Sequence, residues 1–312
     1  MTGKVGIVGT GAVGMAAAYS LFQQRVARHL VLVDRNHERA EGEARDLEHG
    51  QALVGHCQVE AGDWDALAGS GVVVICAGAK QNPGETRLQL LERNAGIFAD
   101  IAEQLDRHVP DAVIIIASNP VDVLTRVMQR LSKRPHQRII GTGTMLDTSR
   151  FRASLGDHYD VNPRSVHAYI LGEHGDSEVP LWSDATIGGL HLRDHCINGQ
   201  RFDAEAMEAL FTEVRDSAYH IIQQKGYTNH AIGLVIAYLI RVIQDDQRSV
   251  LPVSVLLEGQ FGLEDVCMSL PCVLGADGLR TRLEPEPDSR ELDALRRSGE
   301  TLQGHLAGLE LD

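Results

Sequence analysis

A chain of 312 residues with 43% apolar side chains is long enough for two domains around a real core. Its formal charge of −14 argues against nucleic acid or an anionic membrane as the main partner, so an anionic ligand must meet local arginines. The five cysteines (Cys57, Cys76, Cys196, Cys267, Cys272) are scattered with no CxxC pair, no apolar run is long enough for a membrane helix, and no signal-peptide pattern opens the chain, so a cytoplasmic protein with reduced thiols is expected.

Lys4 to Val8 reads as a short strand, and Gly9-Thr10-Gly11-Ala12-Val13-Gly14 follows at once. A helix from about Val13 to Arg25 and a second apolar run, Leu30 to Val33, lead to Asp34, 20 positions beyond Gly14. Strand, GxGxxG, helix, strand and acid in this order form the dinucleotide fingerprint. Gly9 permits the turn, Gly11 lets the backbone approach a pyrophosphate, and Gly14 lets helix and strand pack closely. The helix start offers free N–H groups and a positive dipole end to phosphate. Asp34 can accept hydrogen bonds from a ribose diol and would repel a 2′-phosphate, which favours NAD over NADP, with the adjacent Arg35 pulling the other way.

Asn36 to Glu48 reads as a polar helix. Val72 to Cys76 and Ala112 to Ile116 are continuous apolar runs, the pattern of strands buried on both faces of a parallel sheet. Residues 1–142 are therefore expected to form a doubly wound α/β domain of Rossmann type, with ligands bound beyond the carboxyl ends of its strands. Two polar segments lie there, residues 78–87 and 118–122. Residues 143–312 are expected to form a mixed α/β substrate domain. A helix begins at Met145, and a strand from Val166 to Leu171 leads into Gly172-Glu173-His174-Gly175-Asp176. Asp203 to Gln224 and Thr228 to Gln244 read as long helices, Ser249 to Leu257 and Val266 to Val273 as strands. A closing amphipathic helix from about Asp288 carries Leu292, Leu295, Leu302 and Leu306 on one face.

His174 is the residue that can give and take a proton near neutral pH, set between two glycines and two carboxylates. Asp147 reads equally as its charge partner or as a helix-start residue, and Arg150, three positions on, can project to the same side. A surface ion pair is the ordinary fate of such an arginine. Arg87 follows Pro83-Gly84 in a loop-like segment, Asn119 precedes Pro120 in a turn, and Thr228 can cap the helix that follows it. His191 and His195 have zinc-like spacing, but no second cluster completes a site and the surroundings do not read as helix, so a polar exposed segment is expected and no metal.

Five motifs together resemble one family: GTGAVG at 9–14, AGAKQNPGETRLQLLERN at 77–94, SNPVD at 118–122, GTGTMLDTSRFR at 141–152 and GEHGDSEVP at 172–180. The sequence is similar over nearly its whole length to L-lactate dehydrogenases of the bacterial type, within the lactate/malate dehydrogenase superfamily. The resemblance implies reversible hydride transfer between NADH and pyruvate, giving L-lactate, usually in a homotetramer. It implies His174 as proton donor, Asp147 as its partner, and Arg150 as a bidentate grip on the substrate carboxylate. Arg87 would close in on a lid to polarise the carbonyl, Asn119 would donate to that carbonyl, and Thr228 would line the pocket. Gly9, Gly11, Val13, Gly14, Asp34, Gly78, Ala79 and Asn119 would meet the cofactor. Gln81 stands where malate dehydrogenases typically carry an arginine, and a neutral side chain suits the methyl of pyruvate rather than a second carboxylate. A malate or broader 2-hydroxy acid dehydrogenase is the alternative, and a non-catalytic nucleotide-binding protein a more remote one. Asn229-His230 departs from two aromatics common in bacterial relatives. Arg152 and His167 match positions that bind fructose 1,6-bisphosphate in allosteric members, or else form an ordinary interface pair.

Overall fold

The structure, a computed structural model, describes residues 3–79, 84 and 86–309, and of Arg87 the backbone alone. The first part of the chain runs β1 (Lys4–Val8), α1 (Ala12–Gln23), β2 (His29–Val33), α2 (His37–His49), α3 (Gln51–Val54), β3 (Gln58–Ala61) and β4 (Val72–Ile75). It continues through α4 (Arg87–His108), β5 (Val113–Ile116), α5 (Val121–Leu131) and β6 (Ile139–Gly141). After α6 (Met145–Tyr159) come five two-residue strands: β7 (Val166–His167), β8 (Ile170–Leu171), β9 (Val179–Pro180), β10 (Thr186–Ile187) and β11 (Leu190–His191). The chain closes with α7 (Ala204–Lys225), α8 (His230–Gln244), β12 (Val250–Glu258), β13 (Glu264–Gly275), β14 (Gly278–Arg282) and α9 (Ser289–Ala307).

One nine-stranded sheet organises the molecule, in the order β14-β13-β12-β6-β5-β4-β1-β2-β3. The β6-β5-β4-β1-β2-β3 part is parallel throughout. Its strands β1, β4 and β5 are almost wholly buried, as continuous Val/Ile runs require when helices cover both faces. Each fully buried Val or Ile contributes roughly 1.5–3 kcal/mol against leaving it in water. The chain reverses beside β1: β2 and β3 lie on one side, β4 to β6 on the other. That switch point opens a crevice at the strand carboxyl ends.

The second half does not build a separate sheet only. Strands β12, β13 and β14 extend the first sheet antiparallel, joined through the pairing of Ser254 with Gly141 on β6. The expected Val166–Leu171 strand is divided: β7 pairs with β10, while β8 pairs with β9. Beyond the break the Ile170 N–H donates to Thr148 Oγ1 on α6 at 3.0 Å, so β8 is tied to that helix. α9 buries Leu295, Leu302 and Leu306, with Leu292 packed at the margin, as its spacing predicts. A second, smaller core lies around Phe151, Tyr159, Trp182 and Phe211. β3 and β14 have no counterpart in the sequence reading; both are edge strands with too few apolar residues to show a pattern.

Candidate active site

At the carboxyl end of β1 the chain must turn sharply into α1. Gly9 does so at φ +99°, a conformation that favours glycine. A Cβ on Gly14 would collide with the Gly9 carbonyl, so only glycine lets the helix start this close to the strand. Gly11, by contrast, faces open space, which is what close approach by a diphosphate needs. Gly11 caps α1 without a side-chain hydrogen bond, and the first turn holds no acid, so the N–H groups there are free for an anion. Val13 lies in that turn.

Asp34 stands at the end of β2 across this turn. Its Oδ2 accepts from the Thr10 N–H at 2.7 Å and the Thr10 hydroxyl at 3.0 Å, and its Oδ1 from the Asn36 N–H at 2.9 Å. Partial burial opposes the charge, but these donors hold the carboxyl below the usual carboxylate range. Asp34 thus pins the glycine turn and, as an ionised carboxylate with about four acceptor sites, retains capacity for a diol. Deeper in the crevice, the Ala79 N–H donates to Asn94 Oδ1 at 2.8 Å, and the Ser118 hydroxyl donates to the Ala77 carbonyl at 2.5 Å. Asn94 and Ser118 therefore shape the Gly78-Ala79 segment, a supporting role that the sequence reading left out. The free helix start, the open space over Gly11 and the paired Asp34 fit NAD.

Asn119 is exposed in the turn between β5 and α5, in a cis peptide with Pro120. Arg87 is the first residue of α4, whose start is fixed by a capping box: Thr86 Oγ1 accepts from the Gln89 N–H, and Gln89 Oε1 accepts from the Thr86 N–H. Gln81 lies outside the described residues. Thr228 is half-buried in the short link between α7 and α8, and the capping position belongs to Asn229.

The acid–base cluster is assembled from distant parts of the chain. Asp147 in the first turn of α6 accepts from His174 Nδ1–H at 2.6 Å with one oxygen and from Arg150 at 2.9 Å with the other. It is 4% exposed, so both contacts act with little screening by water. Burial works against the charge of Asp147, yet His174 and Arg150 hold its carboxyl below the usual range. Burial likewise opposes charge on His174, but the Asp147 carboxylate prevails and pushes the ring up to about 9. With Nδ1 engaged, Nε2 is the atom free to hold a transferable proton. The His174 side chain is 26% exposed, so a small molecule can reach it.

The loop that carries His174 is held from below. Gly172 exchanges backbone hydrogen bonds with Ser269 on β13, and its φ is +89°. Ser298 on α9 accepts from the Glu173 N–H at 2.8 Å. The His174 N–H itself donates to Asp122 Oδ2 at 2.7 Å. Asp122, 2% exposed on α5, is pushed up to about 6 by burial, and its Oδ1 has no hydrogen-bond partner among the described residues. Thr144 and Thr148 bind α6 to the Ile170 backbone, fixing Asp147 against the loop. Glu178 brings a third acid: its carboxyl and the donor atoms of Asp147 and His174 all lie within 4.8 Å of one another. The positive charge inside this cluster comes from the imidazolium and from Arg150. Asp122 and Glu178 both stood inside the SNPVD and GEHGDSEVP motifs, but only the fold turns them toward His174. His191 at the end of β11 and His195 in the turn after it are both exposed, consistent with the bland reading of their spacing.

A free helix start for dinucleotide phosphates and a carboxylate-backed histidine beside an arginine define an NAD-dependent oxidoreductase. Residues 3–141 match the family model for the lactate/malate dehydrogenase NAD binding domain, and residues 144–309 match that for the lactate/malate dehydrogenase alpha/beta C-terminal domain. The chain belongs to the lactate/malate dehydrogenase family. It is 54% identical over 306 residues to an L-lactate dehydrogenase of Salinibacter ruber, covering 98% of this chain and 97% of that one. Against an L-lactate dehydrogenase of Thermus aquaticus the identity is 46%, over 98% of this chain and 99% of the relative. The crystal structure of a minor L-lactate dehydrogenase from Enterococcus mundtii in a ligands-bound form superposes with a TM-score of 0.96 at 38% identity, covering 99% of both chains. Among the described residues, no helix is long and apolar enough to cross a membrane.

Proposed function

We infer that the chain is an L-lactate dehydrogenase that reduces pyruvate with NADH and runs in reverse from L-lactate. The observation that carries this reading is Asp147 holding His174 at 2.6 Å and Arg150 at 2.9 Å. When bound, the nicotinamide supplies or accepts the hydride. His174 then gives its Nε2 proton to the oxygen that becomes the alkoxide, and Asp147 stabilises the ring's charged form and its orientation. The planar fork of Arg150 suits a two-point grip on the substrate carboxylate. Arg87 is assigned to polarising the carbonyl and excluding water, Asn119 to orienting that carbonyl, and Thr228 to the pocket wall. The chain is divided functionally at residues 142/143.

Gln81 is assigned the choice of pyruvate over oxaloacetate, because a neutral amide leaves a second substrate carboxylate unpaired in a closed site. An effector site for fructose 1,6-bisphosphate belongs to the same reading. It is supported by the nearness of Arg152 to the strand of His167: Arg152 Nε donates to the Ala168 carbonyl at 2.9 Å, and its guanidinium lies 4.9 Å from the Tyr169 ring centre. The resemblance also implies a homotetramer working in the cytoplasm, checked by sedimentation and by fractionation.

The test is NADH oxidation at 340 nm with pyruvate or oxaloacetate, each with and without fructose 1,6-bisphosphate. Preference for pyruvate by about 100-fold or more in kcat/KM is expected. A preference for oxaloacetate would overturn the role of Gln81. An unchanged KM for pyruvate with the sugar bisphosphate present would remove the effector site and leave the rest standing.

A further inference from the structure

We propose that Glu178 is a positioning residue of the reaction: a buried third acid, within 4.8 Å of the His174 and Asp147 donor atoms, that works in its neutral form and gates the site by ionising. The proposal rests on the reading of His174 as proton donor and Arg150 as carboxylate grip.

The geometry is unusual for a carboxyl group. Glu178 is 7% exposed, and its Oε1 is enclosed without a hydrogen-bond partner among the described residues. Buried carboxylates are normally paired; one left unpaired has reason to keep its proton. The charged groups that face it are Asp147 and Arg150 on α6, His174 on the loop and Arg215 on α7. Asp147 is already an anion with both oxygens engaged. A second anion beside it would repel the first and stabilise the His174 proton against transfer. It would also face the carboxylate that Arg150 is to receive. A neutral Glu178 does none of this. Burial and then the Asp147 charge push Glu178 up to about 8, so the neutral form holds at neutral pH and is lost above it.

Two groups then have to carry protons for pyruvate reduction: His174 as donor and Glu178 as the neutral neighbour. The alkaline limb of log(kcat/KM) for pyruvate should fall with a slope of about −2 in the parent, because two protons are lost. Glu178→Gln keeps the shape and can never ionise, so its limb should fall with a slope of about −1. Glu178→Ala removes the charge without adding an amide and should show the same single-proton limb. A parent limb of slope about −1 that overlays both variants overturns the proposal, and so does a two-proton limb kept in the variants.

A second measurement does not depend on turnover. The His174 ring can be titrated by NMR in the parent and in Glu178→Gln, with the signal assigned by its loss in His174→Gln. Its midpoint should fall by about half a pH unit or more in Glu178→Gln, since an anion that held the proton is gone. An unchanged midpoint sinks the proposal even if the chain turns over neither 2-oxo acid. Absence of pyruvate turnover in the parent, with the midpoint shifted, instead removes the reading of the substrate and leaves Glu178 coupled to His174.

Discussion

The cofactor turn and the acid–base cluster solve their problems in opposite ways. Residues 9–14 are contiguous, and their work is done by backbone: a positive φ at Gly9, a forbidden Cβ at Gly14, an open face at Gly11. The cluster around His174 is made of side chains from α5, α6, the loop after β8 and the segment before β9. His174 and Asp147 are 27 positions apart, and His174 and Asp122 are 52 apart. The first region needs only local stereochemistry to be correct. The second needs elements from both halves of the chain to pack together before one proton can be placed. Damage to the two should therefore look different, and substitutions at four residues probe the difference.

The largest effect is expected from His174→Ala. Turnover of pyruvate should fall by on the order of 10⁴-fold, while NADH binding, followed by fluorescence, stays within a factor of about two. Equal losses in both would mean that the two regions are not separable. Gly14→Ala is the converse. Its new methyl has to displace the Gly9 carbonyl, so NADH affinity should drop about 100-fold or more, roughly 2.7 kcal/mol. The His174–Asp147 pair should persist, seen as an unchanged NMR titration of the His174 ring. If that titration moves as far as NADH affinity does, the turn and the cluster are mechanically coupled.

Asp147→Asn sharpens the electrostatic side of the comparison. The His174 ring is raised because Asp147 outweighs burial; without that charge, burial prevails and the ring should titrate lower. Pyruvate reduction needs the protonated ring, so its alkaline limit should move to lower pH. A loss of about 10²–10⁴-fold in kcat at pH 7 is expected. A pH profile that does not move would assign the raised ring to something other than Asp147.

The contrast between the regions also explains what could be read from the chain. GTGAVG followed by an acid 20 positions on is visible because each glycine answers a backbone requirement that no other residue meets. The buried strands were visible as continuous Val/Ile runs, and α9 as leucines spaced three, seven and four apart. His174 stood out by its setting between two glycines and two carboxylates, but the catalytic roles of Asp147 and Arg150 came through resemblance; from spacing alone, Asp147 was as good a helix-start residue as a catalytic partner. In the fold Asp147 stands in the first turn of α6 and its two oxygens also meet His174 and Arg150, a meeting that spacing does not show. Asp122, Glu178, Ser269 and Ser298 were silent. A buried acid leaves no periodic trace, and a serine that accepts one N–H from a loop 125 positions away leaves none either. The joining of β12 to β6 was silent for the same reason, since a single pair, Ser254 with Gly141, makes the connection.

The smallest effect, and the most diagnostic, is expected at Asp122. This carboxyl is held above its ordinary range by burial, so the folded state keeps a proton that the unfolded chain has released. Between about pH 4 and about 6 stability should therefore fall as pH rises, and the cost should persist at pH 7. Asp122→Asn keeps an oxygen to accept from the His174 N–H but removes the buried charge. It should raise the thermal midpoint at pH 7, by roughly 1–2 kcal/mol in stability, and flatten the pH dependence over that window. Turnover should fall less than about tenfold, because the loop keeps its anchor and only the field behind His174 changes. Asp122→Ala removes the anchor as well and should lose both stability and turnover. If Asp122→Asn proves no more stable than the parent, the charge on this residue is compensated in the fold, and the loop is held by an ionic contact rather than by a hydrogen bond alone.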